Sequence, residues 1–178
     1  KPVFAHPQNM AGVDAVIAAG VDAMAHTVAG GPVYSAEQLA RFRQQGIALI
    51  PTLSLFSRLP VGPDIAARLV ANTVNQLKAF SANGGPVLFG TDVGFTTIYD
   101  TTLEYELMRR ALSERQILAS LTTSPAQFFK AAKKGRAEQG FDALLAQDRV
   151  EDVGVVDVGD GDGAAFGGDA SGEAAADG

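Results

Sequence analysis

Apolar and polar positions follow one another in a repeating order: a short apolar run, a polar residue, then a stretch of helical period. Residues 1–5 (KPVFA) read as extended and lead into His6. From Met10 to Ala19, small and apolar residues recur at helical spacing, and Gly20 supplies the stop. Residues 21–25 make a short buried strand running into His26. Ser35 with Gln38 gives a capping box; Leu39 and Phe42 share a face of the helix it opens, and Gly46 ends that helix. Residues 47–50 are a third strand, closed by Pro51. A longer helix starts near Asp64, behind Gly62-Pro63, with Ile65, Leu69, Thr73, Leu77 and Phe80 on one face. The run NGGP (83–86) ends it, residues 87–89 form the fourth strand, and Gly90-Thr91-Asp92 stands at its end. Helix signals return over 101–111, and Ser113 with Gln116 and Ser124-Pro125 with Gln127 mark two further helix starts.

Strand–helix units in series predict a parallel α/β architecture with right-handed crossovers. A doubly wound sheet and part of a (β/α)8 barrel both fit this pattern. A full barrel takes roughly 250 residues, so four units amount to half of one.

The pattern breaks near residue 153. The segment 153–178 has eight Gly in 26 residues and Phe166 as its one aromatic. It cannot bury enough apolar surface to offset its ordering entropy, so a disordered tail is expected there. Its DVGDGDG run does not make a calcium loop. Counted from Asp157, position 3 is Gly159 and position 12 is Gly168, where oxygen ligands are required.

Charge follows the same division. The net charge is −6, yet residues 1–152 hold 14 basic and 14 acidic side chains, and the tail holds five Asp, one Glu and no cation. A neutral body lacks the concentrated basic footprint that nucleic acid requires. No apolar run approaches the roughly 18 residues of a membrane span. The absence of cysteine excludes disulfides, thiolate metal sites and a cysteine nucleophile. No GxSxG elbow, GxGxxG fingerprint or P-loop is present. Lys1 is followed by no signal-like segment, which leads us to expect further sequence upstream.

The two histidines, His6 and His26, each follow an apolar strand, and Asp92 ends the fourth strand in the same way. In parallel α/β folds the C-terminal strand ends lie on one face. Two imidazoles and a carboxylate there are suitable ligands for zinc or a similar divalent ion. Taken singly, each also fits a structural role: a hydrogen-bonded histidine at a strand end, or an Asp capping the next turn. The Gly30-Gly31 pair after His26 could let a substrate approach the backbone.

At these motifs the sequence resembles the C-terminal half of a metal-dependent amidohydrolase, of the imidazolonepropionase-like and Xaa-Pro dipeptidase-like kind. The resemblance covers about residues 1–145. It rests on His6 as the strand-5 histidine, Ala19-Gly20-Val21-Asp22 with His26 at strand 6, IALIPTL (47–53) at strand 7, Gly90-Thr91-Asp92 at strand 8, and Thr122-Thr123-Ser124-Pro125-Ala126 near the last helix. It implies strands 5–8 of a (β/α)8 barrel over residues 1–134, a partial return to a composite β-sandwich over 135–152, and the tail over 153–178. It further implies a hydrolase of C–N bonds in cyclic amides or peptides, using one or two divalent ions, zinc by expectation. His6 and His26 would be metal ligands in a binuclear member; in a mononuclear one His26 would instead contact substrate. Asp92 would bind metal and move the proton of the attacking water. Ester or phosphotriester hydrolysis on the same machinery is an alternative, as is a noncatalytic α/β binding module. The implied partners are a small amide or dipeptide substrate and the N-terminal half of the barrel, with homo-oligomer formation left open.

The departures are the lack of the family's strand-1 His-x-His and strand-4 metal residue. In addition, GFDALL (140–145) loses the Asp of the family's Gly-x-x-Ala-Asp-Leu. Half a barrel exposes unpaired edges and apolar faces, so by itself the chain is expected to fold poorly or self-associate and to be inactive.

Overall fold

The computed structural model describes residues 1–139 and the strand at 154–158. Strand β1 (Val3–Pro7) is followed by helix α1 (Met10–Ala19), β2 (Ala23–Ala25), α2 (Ala36–Gln45) and β3 (Ala48–Ile50). Then come the short α3 (Leu53–Ser57), the long α4 (Pro63–Ala82), α5 (Thr102–Met108), α6 (Glu114–Leu121), α7 (Thr123–Phe128) and β4 (Gly154–Val158). The sheet order is β3-β2-β1-β4, and every pair is parallel. Phe4 lies opposite Ala23, and Ala23 opposite Ala48.

The local signals explain these boundaries. Asn9 Oδ1 accepts the Gly12 N–H at 2.8 Å to start α1, and Gly20 ends it in the left-handed region at φ 65°. Ser35 and Gln38 form the reciprocal capping box of α2, and Ser113 and Gln116 that of α6. Asp22 ties the starts of three strands together. Its carboxylate accepts the Val3 N–H at 2.7 Å, its N–H donates to the Val3 carbonyl, and its own carbonyl accepts the Ala48 N–H.

The two-residue period of the strands divides the core. One face (Ala5, Met24, Leu49) packs under Val13, Val16, Ile17, Phe42, Leu77 and Phe80 from the helices. The opposite face holds the smaller cluster of Phe4, Ala23, Ala48 and Leu88, against which Phe128 of α7 packs edge-on to Phe4. Both faces are therefore buried, as expected for a parallel sheet.

Several boundaries depart from the expectation. Residues 87–89 lie parallel to β3 but make only an isolated bridge, Leu49 opposite Val87. The ladder begun by the Leu49 N–H to the Pro86 carbonyl and the Leu88 N–H to the Leu49 carbonyl would next need an N–H from residue 51, which is Pro51; the Phe89 N–H, on the other edge, donates to the Ser120 carbonyl of α6. Burial of α4 begins only at Val70, leaving Ile65 44% exposed, while Gln76 joins the buried face. Between β3 and α4, where no helix was expected, the chain forms α3 (Leu53–Ser57). Helix α7 begins at Thr123, so Ser124 is not its cap; the Thr122 hydroxyl donates instead to the Leu118 carbonyl of α6. Within the stretch expected to be disordered, Gly154–Val158 pairs with β1, Val3 opposite Gly154 through Pro7 opposite Val158. An edge strand offers unpaired backbone groups to any β-prone run, and GVVDV is the tail's β-branched segment. The rest of that stretch, and the GFDALL run, lie outside the described residues.

Candidate functional site

The C-terminal ends of β1, β2, β3 and residues 87–89 converge because all four run parallel. His6 sits within β1 on the face that carries Phe4. His26 follows β2 directly, and its backbone N–H donates to the Ile50 carbonyl of β3 at 2.8 Å. The two imidazoles meet edge-on, with ring centroids 4.4 Å apart. His26 Nδ1 lies 2.6 Å from Thr52 Oγ1, just after β3.

The backbone here is held in an unusual conformation. Non-glycine residues with positive φ among the described residues are His26 (70°), Thr52 (44°), Asp92 (57°) and Lys130. Three of these are the residues that end β2, β3 and the 87–89 segment. The left-handed region costs an L-residue about 1–2 kcal/mol, and the cost is greatest for a β-branched side chain such as Thr52. Strain of this kind concentrates where geometry is functionally constrained. Gly90 belongs to the same construction, since a Cβ there would run into the Ile50 side chain.

Burial pushes the His26 imidazole down from 6.5 to about 4; the nearby His6 adds to this and Asp92 partly opposes it. His26 is therefore neutral near pH 7, the form in which a ring nitrogen can ligate a metal. If Nδ1–H donates to Thr52, Nε2 keeps its lone pair. The structure thus brings His6 and His26 into contact and places Asp92 within electrostatic reach. Among the described residues, no three His, Asp or Glu side chains stand close enough together to hold a metal ion. As donors, the histidine pair fits part of a divalent-ion site.

The supporting residues were not singled out from the sequence. Glu104 of α5 is fully buried and caps α3: the Leu53 N–H donates to Oε1 at 2.9 Å and the Ser54 N–H to Oε2 at 2.7 Å. Burial raises its carboxyl pKa, and the Ser54 and Leu53 N–H groups oppose the rise. Asn72 and Gln76, one turn apart on α4, bond the backbone of residues 28–32, the loop that leaves His26. The signals were positional. Glu104 shares a helical face with Leu107 and Met108, and Gln76 lies between Thr73 and Phe80 on a buried one.

No family model matches the sequence, and no curated protein is similar enough to match it. Solved structures do match. A Xaa-Pro dipeptidase with bound methionine in its active site is 21% identical, with a TM-score of 0.63 over 77% of this chain and 36% of its own. A prolidase-like protein from Bifidobacterium longum is 27% identical, with a TM-score of 0.63 over 78% and 39%. An ochratoxinase from A. niger is 20% identical, with a TM-score of 0.61 over 80% and 34%. The chain shares its fold with enzymes of the amidohydrolase superfamily, as its motifs led us to expect. It spans little more than a third of the length of these relatives.

Proposed function

We propose that this chain is the part of a metal-dependent hydrolase that carries strands 5–8 of a (β/α)8 barrel. The whole enzyme would cleave C–N bonds of cyclic amides or peptides. The observation that carries this reading is the pair His6 and His26, in ring contact at adjacent strand ends, with His26 neutral and Asp92 within electrostatic reach. The similarity to a Xaa-Pro dipeptidase and a prolidase-like protein favours a small dipeptide as substrate.

His6, His26 and Asp92 would hold a divalent ion, which when bound acidifies water toward a pKa of about 7 and polarises a carbonyl. The residues' own tasks follow from their chemistry. Asp92, as the carboxylate, takes the proton from the attacking water and returns it to the leaving nitrogen. His26, buried and kept neutral, turns one ring edge to Thr52 and is left with the other for ion or substrate. The loop 28–32 that leaves His26 is pinned by Asn72 and Gln76.

The test is the metal content of the intact protein purified from its source, followed by hydrolysis of proline-containing dipeptides and cyclic amides. Divalent metal in the protein, and a loss of about 100-fold or more in turnover for Asp92→Asn, are expected. A metal-free protein with full activity in that variant would overturn the reading.

A further inference from the structure

Thr52 occupies the N-cap position of α3, where a threonine hydroxyl ordinarily accepts a backbone N–H of the first turn. Its side chain makes no such bond. Of the two N–H groups a capping side chain serves, that of Ser54 is taken, together with that of Leu53, by the Glu104 carboxylate, which arrives from α5 some fifty residues later in the chain, and that of Leu55 goes to the Thr52 carbonyl at 3.2 Å. The Thr52 hydroxyl is thereby released from capping. It points to His26 Nδ1 at 2.6 Å, from a backbone held at φ 44°.

We propose that Glu104 is a positioning residue for His26, acting through Thr52: it caps α3 in place of the threonine, and the freed hydroxyl accepts Nδ1–H and leaves Nε2 as the working nitrogen. The elements around it are consistent with a fixed support. Helix α5 is anchored by Met108, fully buried, and by Tyr105, which stacks on Phe89 at 4.9 Å beside the fourth strand end. Glu104 has both oxygens engaged and no exposed surface, so the carboxylate cannot turn away from the turn it holds. Metal-binding histidines generally have their second ring nitrogen fixed by such a partner. The ring geometry stands without any ion; its use for one rests on the hydrolase reading above.

The experiment is long-range proton–nitrogen NMR of the His26 ring in the intact protein, paired with cobalt(II) titration. Wild type should show a single neutral tautomer protonated on Nδ1. Thr52→Val and Glu104→Gln should each convert it to a tautomer mixture and weaken cobalt binding about 10- to 100-fold. Thr52→Ser, which keeps the hydroxyl, should restore both readouts. Ile117→Val, which weakens the core from α6 and leaves α5 and Glu104 in place, should change neither. Should Glu104→Gln fail to fold, the Thr52 pair still decides the question. A wild-type ring protonated on Nε2, or a ring signature unmoved by Thr52→Val and Glu104→Gln, would overturn the proposal. A ring that responds as described in a chain that binds no cobalt would support the positioning role and count against the metal reading alone.

Discussion

Gln76 pairs with Val28 as a neighbouring strand would: the Val28 N–H donates to Oε1 at 2.8 Å, and Nε2 donates to the Val28 carbonyl at 2.7 Å. The same Nε2 reaches the Pro32 carbonyl, and Asn72 holds the Ala29 carbonyl at 2.9 Å. The loop after His26 therefore receives from α4 the hydrogen bonds that a sheet would otherwise supply. Leaving a buried backbone group without a partner costs about 1–3 kcal/mol. Gln76→Leu, which keeps the volume and removes the amide, should lower stability by roughly 2–4 kcal/mol. It should also abolish exchange protection of the Val28 amide. Urea unfolding and amide exchange measure both, and a stable Gln76→Leu chain with Val28 still protected would refute the pinned loop.

Asp22 performs a comparable task at the opposite end of the sheet, where its carboxylate accepts the Val3 N–H at 2.7 Å. That bond is partly solvated, so Asp22→Ala should cost only about 1 kcal/mol. Asp22→Asn retains an acceptor oxygen and should cost less than half of that. Because the contact is remote from the histidine pair, neither variant should alter the His6 and His26 ring signals. A larger loss of stability, or a change in those signals, would show that the strand starts and strand ends are coupled.

His26 gives the fold a pH dependence whose sign can be worked out. Its pKa is about 4 when folded and 6.5 as a free imidazole. Between those values the unfolded chain binds the proton and the folded chain does not. Stability therefore falls as pH drops from 6.5 toward 4, by about 3 kcal/mol in all, and levels off below. The raised pKa of Glu104 acts in the opposite sense, since its proton is bound more readily in the folded state at mildly acidic pH. Subtracting the profile of His26→Gln from that of wild type isolates the histidine. A difference curve that is flat between pH 4 and 6.5 would mean that His26 is solvated, contrary to its burial.

The parts of this architecture legible in the sequence were those written locally. The capping boxes at Ser35 and Ser113 and the glycine stops at Gly20 and Gly46 fixed helix ends nearly to the residue, because each is a contact between near neighbours. The parallel order of the strands followed from their alternation with helices. What escaped notice was long-range. Glu104 was unremarked because its partners lie about fifty positions away, and Thr52 because its partner His26 lies 26 positions away and no helix was expected directly after Pro51. The left-handed backbone at His26, Thr52 and Asp92 has no sequence signal, since none of the three is glycine. Pairing of β1 with Gly154–Val158 was hidden by the glycine-rich composition around that run. Among the site residues, the sequence placed His6, His26 and Asp92 on one face by topology alone. The fold then brings the two histidine rings into contact.

That contact makes a thermodynamic prediction about metal. Two imidazoles in ring contact, with a carboxylate in electrostatic reach, should favour a divalent ion in the folded chain over the unfolded one, where the same donors are scattered. A ligand specific to the folded state at 100 times its dissociation constant stabilises by about 2.7 kcal/mol. Zinc should accordingly raise the urea midpoint of the chain at pH 7.5. The gain should shrink as pH falls, because protons compete with the ion for its ligands. His6→Asn and His26→Asn should each abolish the shift. Asp92→Asn should reduce it by less, since the two nitrogens remain. An equal zinc shift in the His6→Asn, His26→Asn double variant would place the ion elsewhere and remove the basis for a metal centre at these strand ends.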